Sequence, residues 1–580
     1  MARSFRIAET QEGVRVSIQP VSDQGFIEVY RISIDFPGVQ VPSPVRIEWE
    51  EPMENILCVW HPMAGTHHGM HQWFAPTKCR SRFCEGAPIL TTVGEGGLNR
   101  QTVTLSDVKT PCCLSFCIRD LEQKDKVGYA AEFFTQKCDA LKSYSALLRI
   151  DLRGVPYYES VMSVSQWWAE TGAAVPSCLP AAEDALYSSW YNFHQAPDGE
   201  MLLADLRIAS ELGFKTVILD DGWQFDGPSS GHYSTCGEWL VAAGKFADFR
   251  RFTDEVHSLG MKLMVWFAVP FIGDESPLYA RFEGKYLYCS TFNRCMILDP
   301  RYPEVREYLI GLYRDFLEKY DIDGFKLDFI DAFAPGELTG EYNDSMDCRT
   351  IEEAVERLLT GVTEELSHVK PGLLYEYRQN YVGPAINRFG NMLRVADCAY
   401  DAMINRVGVI DLRMMNYPIA VHSDMLFWSP EESVRLCARQ LNNILFSVPQ
   451  ISVLLQRSTE EQLHLLRHYI SYWTENRDLI LHGRFRALHP EMNYTFASSE
   501  NDDRFIAVQY ADLPYTYTGK PGDLFHNGET DGLVFENPSD HPVQVEAYDC
   551  MGRPVHTEAV PARCIRRLPV PVTGMLRILP

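Results

Sequence analysis

The spacing of hydrophobic and polar positions changes character twice along this chain. Over residues 1 to about 165 the two kinds alternate at period two, as in Gly-Val-Arg-Val-Ser-Ile and Phe-Ile-Glu-Val-Tyr-Arg-Ile-Ser-Ile. Helical spacing is nearly absent there, and the pattern predicts an antiparallel β-sandwich. From about 180 onward, apolar runs alternate with amphipathic stretches of helix length. The runs are 185–191, 216–220, 261–269, 324–329, 372–377, 392–397, 419–423 and 451–456, and helices are predicted over 199–212, 246–259, 303–319, 350–368, 430–446 and 459–475. Eight strands alternating with helices predict an α/β fold, a (β/α)8 TIM barrel. An open doubly wound sheet is the alternative, but no glycine-rich phosphate loop follows the first run. Beyond about 485 period two returns and predicts a small C-terminal antiparallel β-domain, a second sandwich. The expected division is 1–165, 166–484 and 485–580.

Composition bears on partners more than on fold. A length of 580 residues calls for more than one core, and 46% hydrophobic residues is ordinary for a globular chain. A formal charge of −25 argues against nucleic acid or an anionic membrane as partner, and leaves a neutral sugar open. The opening Met-Ala-Arg-Ser-Phe-Arg-Ile lacks an apolar core of signal-peptide length, and no later run reaches membrane-spanning length, so a cytoplasmic protein is expected. The sixteen cysteines show no paired Cys-x-x-Cys of zinc spacing and read as reduced, buried small hydrophobes.

The chemistry is concentrated where apolar runs end in aspartate. In Asp-Gly-Phe-Lys-Leu-Asp-Phe (323–329), strand alternation points Lys326 and Asp328 the same way, inward at the end where parallel barrels keep their active sites. An ammonium beside a carboxylate keeps it ionised, as a nucleophile requires. Asp220 and Asp221 precede Gly222 and Trp223. The pair suits a turn, but it also suits a sugar ring, with carboxylates on vicinal hydroxyls and an indole over the apolar face, and the binding role is preferred. Asp397 ends the sixth run. Asp401, four residues on, is the better helix cap, which leaves Asp397 as the second catalytic carboxylate. Carboxylate pairs of this kind are the tools of glycoside cleavage.

Leu-Asp-Asp-Gly-Trp, Val-Trp-Phe, Ile-Leu-Asp-Pro-Arg-Tyr-Pro-Glu-Val-Arg, Phe-Lys-Leu-Asp-Phe and Ala-Asp-Cys-Ala-Tyr-Asp follow one another in this order. The series resembles the melibiase-type α-galactosidases of glycoside hydrolase family 36 and its clan, over about residues 185–460. The resemblance implies Asp328 as nucleophile and Asp397 as acid/base. It also implies Asp220 and Asp221 as ligands of the 4- and 6-hydroxyls, with Trp266, Arg294 and Lys326 in the same subsite. Arg294 stands one residue off the expected spacing to Asp299. One departure is larger. Where such proteins carry a cysteine and a glycine run on the fifth strand, this chain has Tyr375-Glu376-Tyr377-Arg378-Gln379-Asn380. Glu376, Tyr377 and Arg378 are therefore expected to face the sugar's 2-hydroxyl or the leaving group. Trp190, at the end of the first run, is expected to stack on sugar or to fill the barrel mouth.

The expectation is a retaining exo-α-glycosidase acting on a small carbohydrate, α-galactosides foremost, with no cofactor and no metal. Within the same mechanism an α-N-acetylgalactosaminidase, an α-glucosidase or a transglycosidase stays open, as does assembly into a homo-oligomer. A non-catalytic carbohydrate-binding barrel is disfavoured by the presence of both carboxylates. His61, His67, His68 and His71, with Trp60 and Trp73, form the one cluster suggesting a metal-dependent alternative, and an aromatic-rich loop bordering the pocket is preferred. His422 reads as a satisfied core histidine.

Overall fold

The computed structural model describes residues 3–23, 25–120, 125–225 and 231–579. Its centre is a ring of eight parallel strands, numbered here β1 (Leu186–Ser188), β2 (Thr216–Leu219), β3 (Lys262–Ala268), β4 (Gly324–Asp328), β5 (Leu374–Arg378), β6 (Met392–Arg394), β7 (Ala420–His422) and β8 (Gln450–Ile451). Neighbours pair in sequence order, β8 pairs with β1, and a parallel bridge from His422 to Val448 brings β7 against the segment leading into β8. The strands are buried on both faces, as helix-covered parallel strands must be. On β4, Phe325 and Leu327 turn outward, with Phe325 against Phe267 and Tyr313, while Lys326 and Asp328 turn into the ring.

The helices obey local rules. Gly199–Leu212 starts at Asp198, whose side chain accepts from the Met201 backbone, and stops at Gly213 in the left-handed conformation. Glu460–His482 opens with a capping box between Thr459 and Gln462. Besides one-turn helices at Trp190–Phe193 and Pro384–Asn387, two longer helices among the described residues lie outside the predicted set. Ala402–Met414 is capped by Asp401, which accepts from Ile404 N at 2.9 Å. Tyr157–Glu170 buries Tyr157, Val161, Val164 and Trp168, a helical spacing hidden at the edge of a β-patterned region.

Before the barrel, a five-stranded and a six-stranded antiparallel sheet enclose their own core around Trp49, Phe116 and Tyr129. After it come a seven-stranded and a three-stranded sheet, antiparallel apart from two parallel pairings, Phe505–Gln509 with Gly522–His526 and Tyr515–Thr516 with Leu533–Asn537. Among the described residues, no helix is long and apolar enough to cross a membrane.

The three parts meet at one buried node. Trp60 Nε1, from the first sandwich, donates to Asp411 Oδ1 at 2.8 Å on a barrel helix, and the Tyr494 hydroxyl from the last part donates to the same oxygen.

Candidate active site

Register fixes the layers inside the ring. Trp266 stands beside Lys326, Lys326 beside Glu376, Ala268 beside Asp328, and Arg378 beside Arg394. The upper layer centres on Asp328, which is 9% exposed. Its Oδ1 accepts from Arg378 Nε at 2.6 Å, from its neighbour's amide, Phe329 N, at 2.7 Å, and from the Tyr381 hydroxyl at 3.4 Å. Its Oδ2 takes one bond, from Trp266 Nε1 at 3.0 Å. Burial pushes the Asp328 carboxyl up, but the charges of Arg378 and Lys326 and the indole bond more than reverse this, so it lies well below the ordinary range.

Lys326 is buried and donates to Asp220 Oδ2 at 2.6 Å. Asp221 is held by two amides, Gln195 Nε2 on Oδ2 and Gln224 Nε2 on Oδ1, both at 2.7 Å. Burial without a cation of its own raises its carboxyl to about 6. The turn behind the pair requires glycine. Gly222 has φ +105°, and a Cβ there would fall 2.4 Å from the Gln195 Cα. Trp266 is lined by Tyr233, stacked at 5.9 Å, and by Trp239, edge-on at 5.8 Å.

Asp397 differs in kind. Its side chain is 58% exposed, and Arg394 Nη2 holds Oδ1 at 2.8 Å. Arg394 itself is sealed in the ring, bonded to Asp424 Oδ1 at 2.5 Å and 3.5 Å from Glu376. Asp424 also accepts from the Tyr191 hydroxyl at 2.8 Å and from Cys398 N at 2.7 Å. Burial raises the Asp397 carboxyl, but Arg394 and Lys326 outweigh it, leaving the group below its ordinary value. Asp328 is among the charges that act on it.

The structure therefore gathers Asp220, Asp221, Trp266, Lys326, Asp328, Arg378 and Asp397 at one end of the ring. Trp190 is half-buried at the start of a one-turn helix and meets His194 edge-on. Its segment supplies Ser189, Tyr191 and Gln195 to Asp220, Asp424 and Asp221. Three expectations change. Arg294 does not join the group. It lies in the hairpin turn after Tyr286–Ser290, where φ is +53°, and pairs with Asp274 and Glu275 at 41% exposure. Glu376 does not face a ligand. It lies one layer deeper with no exposed side-chain area, where it accepts from Gln450 Nε2 at 2.6 Å. Tyr377 alternates to the outer face and packs against Tyr381. Of the fifth strand only Arg378 reaches Asp328.

His422 is a satisfied core histidine, bonded to Ala182 O and Gln450. The four N-terminal histidines separate, His61 and His68 buried and His67 and His71 exposed. Among the described residues, no group of three or more His, Cys, Asp and Glu is placed to hold a metal ion. The sequence reading missed Arg394, Asp424, Asp331 and Tyr381. A sequence signal existed for two of them, since Arg394 and Asp331 each stand three residues from a named aspartate.

Residues 183–483 match the melibiase family model. The α-galactosidase Mel36A of Lactobacillus acidophilus is 28% identical over 178 residues, 29% of this chain and 23% of that protein. AgaA of Geobacillus stearothermophilus, also an α-galactosidase, is 21% identical over 371 residues, 60% of this chain and 49% of that protein. The aligned stretches thus span about a quarter to a half of these relatives. In three dimensions the crystal structure of AgaA superposes with a TM-score of 0.64, covering 100% of this chain and 87% of that one at 14% identity. A complex of an AgaA variant with raffinose also gives 0.64, at 14% identity, covering 97% and 81%. At that identity the likeness concerns the fold. Since the family match takes in more than half of the 580 residues and holds every strand-end aspartate named above, the chain belongs to the melibiase family.

Proposed function

We propose that this protein is a retaining exo-α-glycosidase that releases a terminal α-linked sugar, most readily α-galactose, from short oligosaccharides or glycosides. The observation that carries the reading is the asymmetry of Asp328. Three donors saturate Oδ1, whereas Oδ2 keeps a lone pair beside a single indole N–H. A carboxylate fixed in this way is ionised and aimed, and Oδ2 is the oxygen free to attack an anomeric carbon.

Asp397 would protonate the leaving oxygen. In the free protein Arg394 keeps it anionic. A bound sugar displaces water from it and leaves the Asp328 charge less screened, and both changes push it toward the protonated form. Once Asp328 is esterified its charge is gone, and the pull of Arg394 returns Asp397 to the base required for hydrolysis. Asp220 and Lys326 would bind hydroxyls, with Trp266 covering the sugar face. The AgaA complexes with raffinose and with 1-deoxygalactonojirimycin support galactose as the first sugar to test. The division at 484 falls just after Glu460–His482, whereas 165 would cut Tyr157–Glu170, so we set the first boundary after that helix, with the chemistry in the middle part. A cytoplasmic setting fits sixteen cysteines that are all free thiols.

The test is a panel of nitrophenyl α-glycosides that includes galactoside, glucoside, N-acetylgalactosaminide and 2-deoxygalactoside. The galactoside should lead, with release of the α-anomer first. Because Arg378 is the fifth-strand side chain at Asp328, the 2-deoxy analogue should fall by ~10²-fold or more. Release of the β-anomer, or turnover of none of the panel, would end this reading.

A further inference from the structure

We infer that Arg82, from the N-terminal sandwich, is a positioning residue for Asp328. The inference rests on the reading of Asp328 as the nucleophile. Arg82 is 6% exposed, yet most of its bonds leave its own sandwich. Nη1 donates to Phe333 O at 2.9 Å and Nη2 to Asp331 O at 2.5 Å, 251 and 249 residues away, while Nε keeps Glu85 at 3.2 Å. A planar guanidinium can hold two carbonyls at once, and an ammonium cannot match that fork.

Those carbonyls belong to the turn that follows Asp328. Phe329 has φ +59°, the left-handed region, which is strained for a bulky side chain and persists only where its surroundings enforce it. Residues Ile330–Ala332 then make one 3-10 turn. The strained residue supplies the amide that grips Asp328 Oδ1, so the turn's conformation sets where the carboxylate points. Asp331, in the same turn, accepts from Arg378 Nη2 and from the Tyr381 hydroxyl, both at 3.3 Å. Arg82 thus holds the backbone of the segment from which three of the Asp328 contacts are organised.

The sandwich also touches the other side of the cage. Gly86 N donates to Asn380 O at 2.9 Å, and a Cβ on Gly383 would fall 2.7 Å from Gly86 O. Gln379 Nε2 donates to Pro62 O at 3.3 Å. The loops after β4 and β5, which carry Asp331 and Tyr381, are therefore both seated on one edge of the first sandwich. Gly86 fits this place because at φ +70° a Cβ would meet Arg80 O at 2.1 Å.

The experiment uses the full chain with Arg82→Met and Arg82→Lys, assayed on the best substrate of the panel and followed by hydrogen exchange over 328–334. Misplacing a reacting group by about an ångström can cost ~10²-fold, so kcat should fall ~10–100-fold in Arg82→Met with KM within ~3-fold. Arg82→Lys should recover part of the loss, and exchange over 329–333 should speed up in Arg82→Met while the barrel helices keep their protection. Unchanged kcat per folded molecule, or a loss confined to KM, would overturn the inference. If Arg82→Met does not fold, the lysine variant decides by the same split. If the wild type proves inactive on the whole panel, the functional reading fails, and exchange alone judges the clamp: unaltered protection of 329–333 would refute it.

Discussion

Asp328 and Asp397 stand at the ends of strands two places apart in the ring, and they are built in opposite ways. Asp328 is buried, takes four donors and owes its ionised state to two cations. Asp397 is 58% exposed and has one partner, Arg394, whose own position is fixed by Asp424. The difference matches the demands of the two roles we propose for them. A nucleophile must stay charged and must not wander. An acid/base must exchange protons with water and leaving group, and it gains from a charge that the neighbouring reaction switches on and off. The buried Arg394 suits this, since it acts on Asp397 from below without closing it off.

Removing the fixed member should have the largest effect. Asp328→Gly should lose at least ~10⁴-fold in kcat, because no other group can form the glycosyl intermediate. Azide should restore part of the activity and give the β-glycosyl azide. Wild-type turnover, or an α-azide, would show that the rigid carboxylate is not the nucleophile.

The exposed member should fail differently. Asp397→Ala should cost ~10²–10⁴-fold on glycosides with poor leaving groups and little on activated aryl glycosides, whose departure needs no proton. Equal losses on both would remove Asp397 from the proton-transfer role. Asp401 is the internal control, since its side chain is spent on capping Ala402–Met414.

Much of this contrast was legible from spacing. Alternation along β4 put Lys326 and Asp328 on one face, and the cap rule separated Asp401 from Asp397. Alternation also bears on the fifth strand, where it placed Glu376 and Arg378 together but could not say which layer each would occupy. Depth in a barrel depends on strand stagger, which is set by pairing between strands and not by any one of them. Arg294 went astray for a related reason. It sits in an inserted antiparallel hairpin, Tyr286–Ser290 with Cys295–Leu298, whose turn carries it to the surface. Arg82 was out of reach altogether, because a contact across about 250 residues leaves no periodic trace.

A third aspartate extends the contrast to stability. Asp411 is more deeply buried than Asp328 but has no cation. Trp60 Nε1 and the Tyr494 hydroxyl share its Oδ1, and Oδ2 has no hydrogen-bond partner. Burial therefore wins, and the carboxyl is raised to about 7. The sign follows. The folded protein binds this proton more tightly than the unfolded chain, so stability is greatest below the unfolded value near 4 and declines as pH rises through the window up to about 7. A shift of this size corresponds to a loss of about 4 kcal/mol across that window. Asp411→Asn keeps the oxygen that accepts from Trp60 and Tyr494 and removes the proton equilibrium. It should flatten the pH dependence of the melting temperature between pH 4 and 8 and raise it at pH 8, with kcat near wild type because Asp411 contacts none of the barrel-mouth aspartates. A variant whose melting profile kept the wild-type slope would mean that the node holds its charge as easily as Asp328 does, and that cations are not what separates the buried aspartates of this protein.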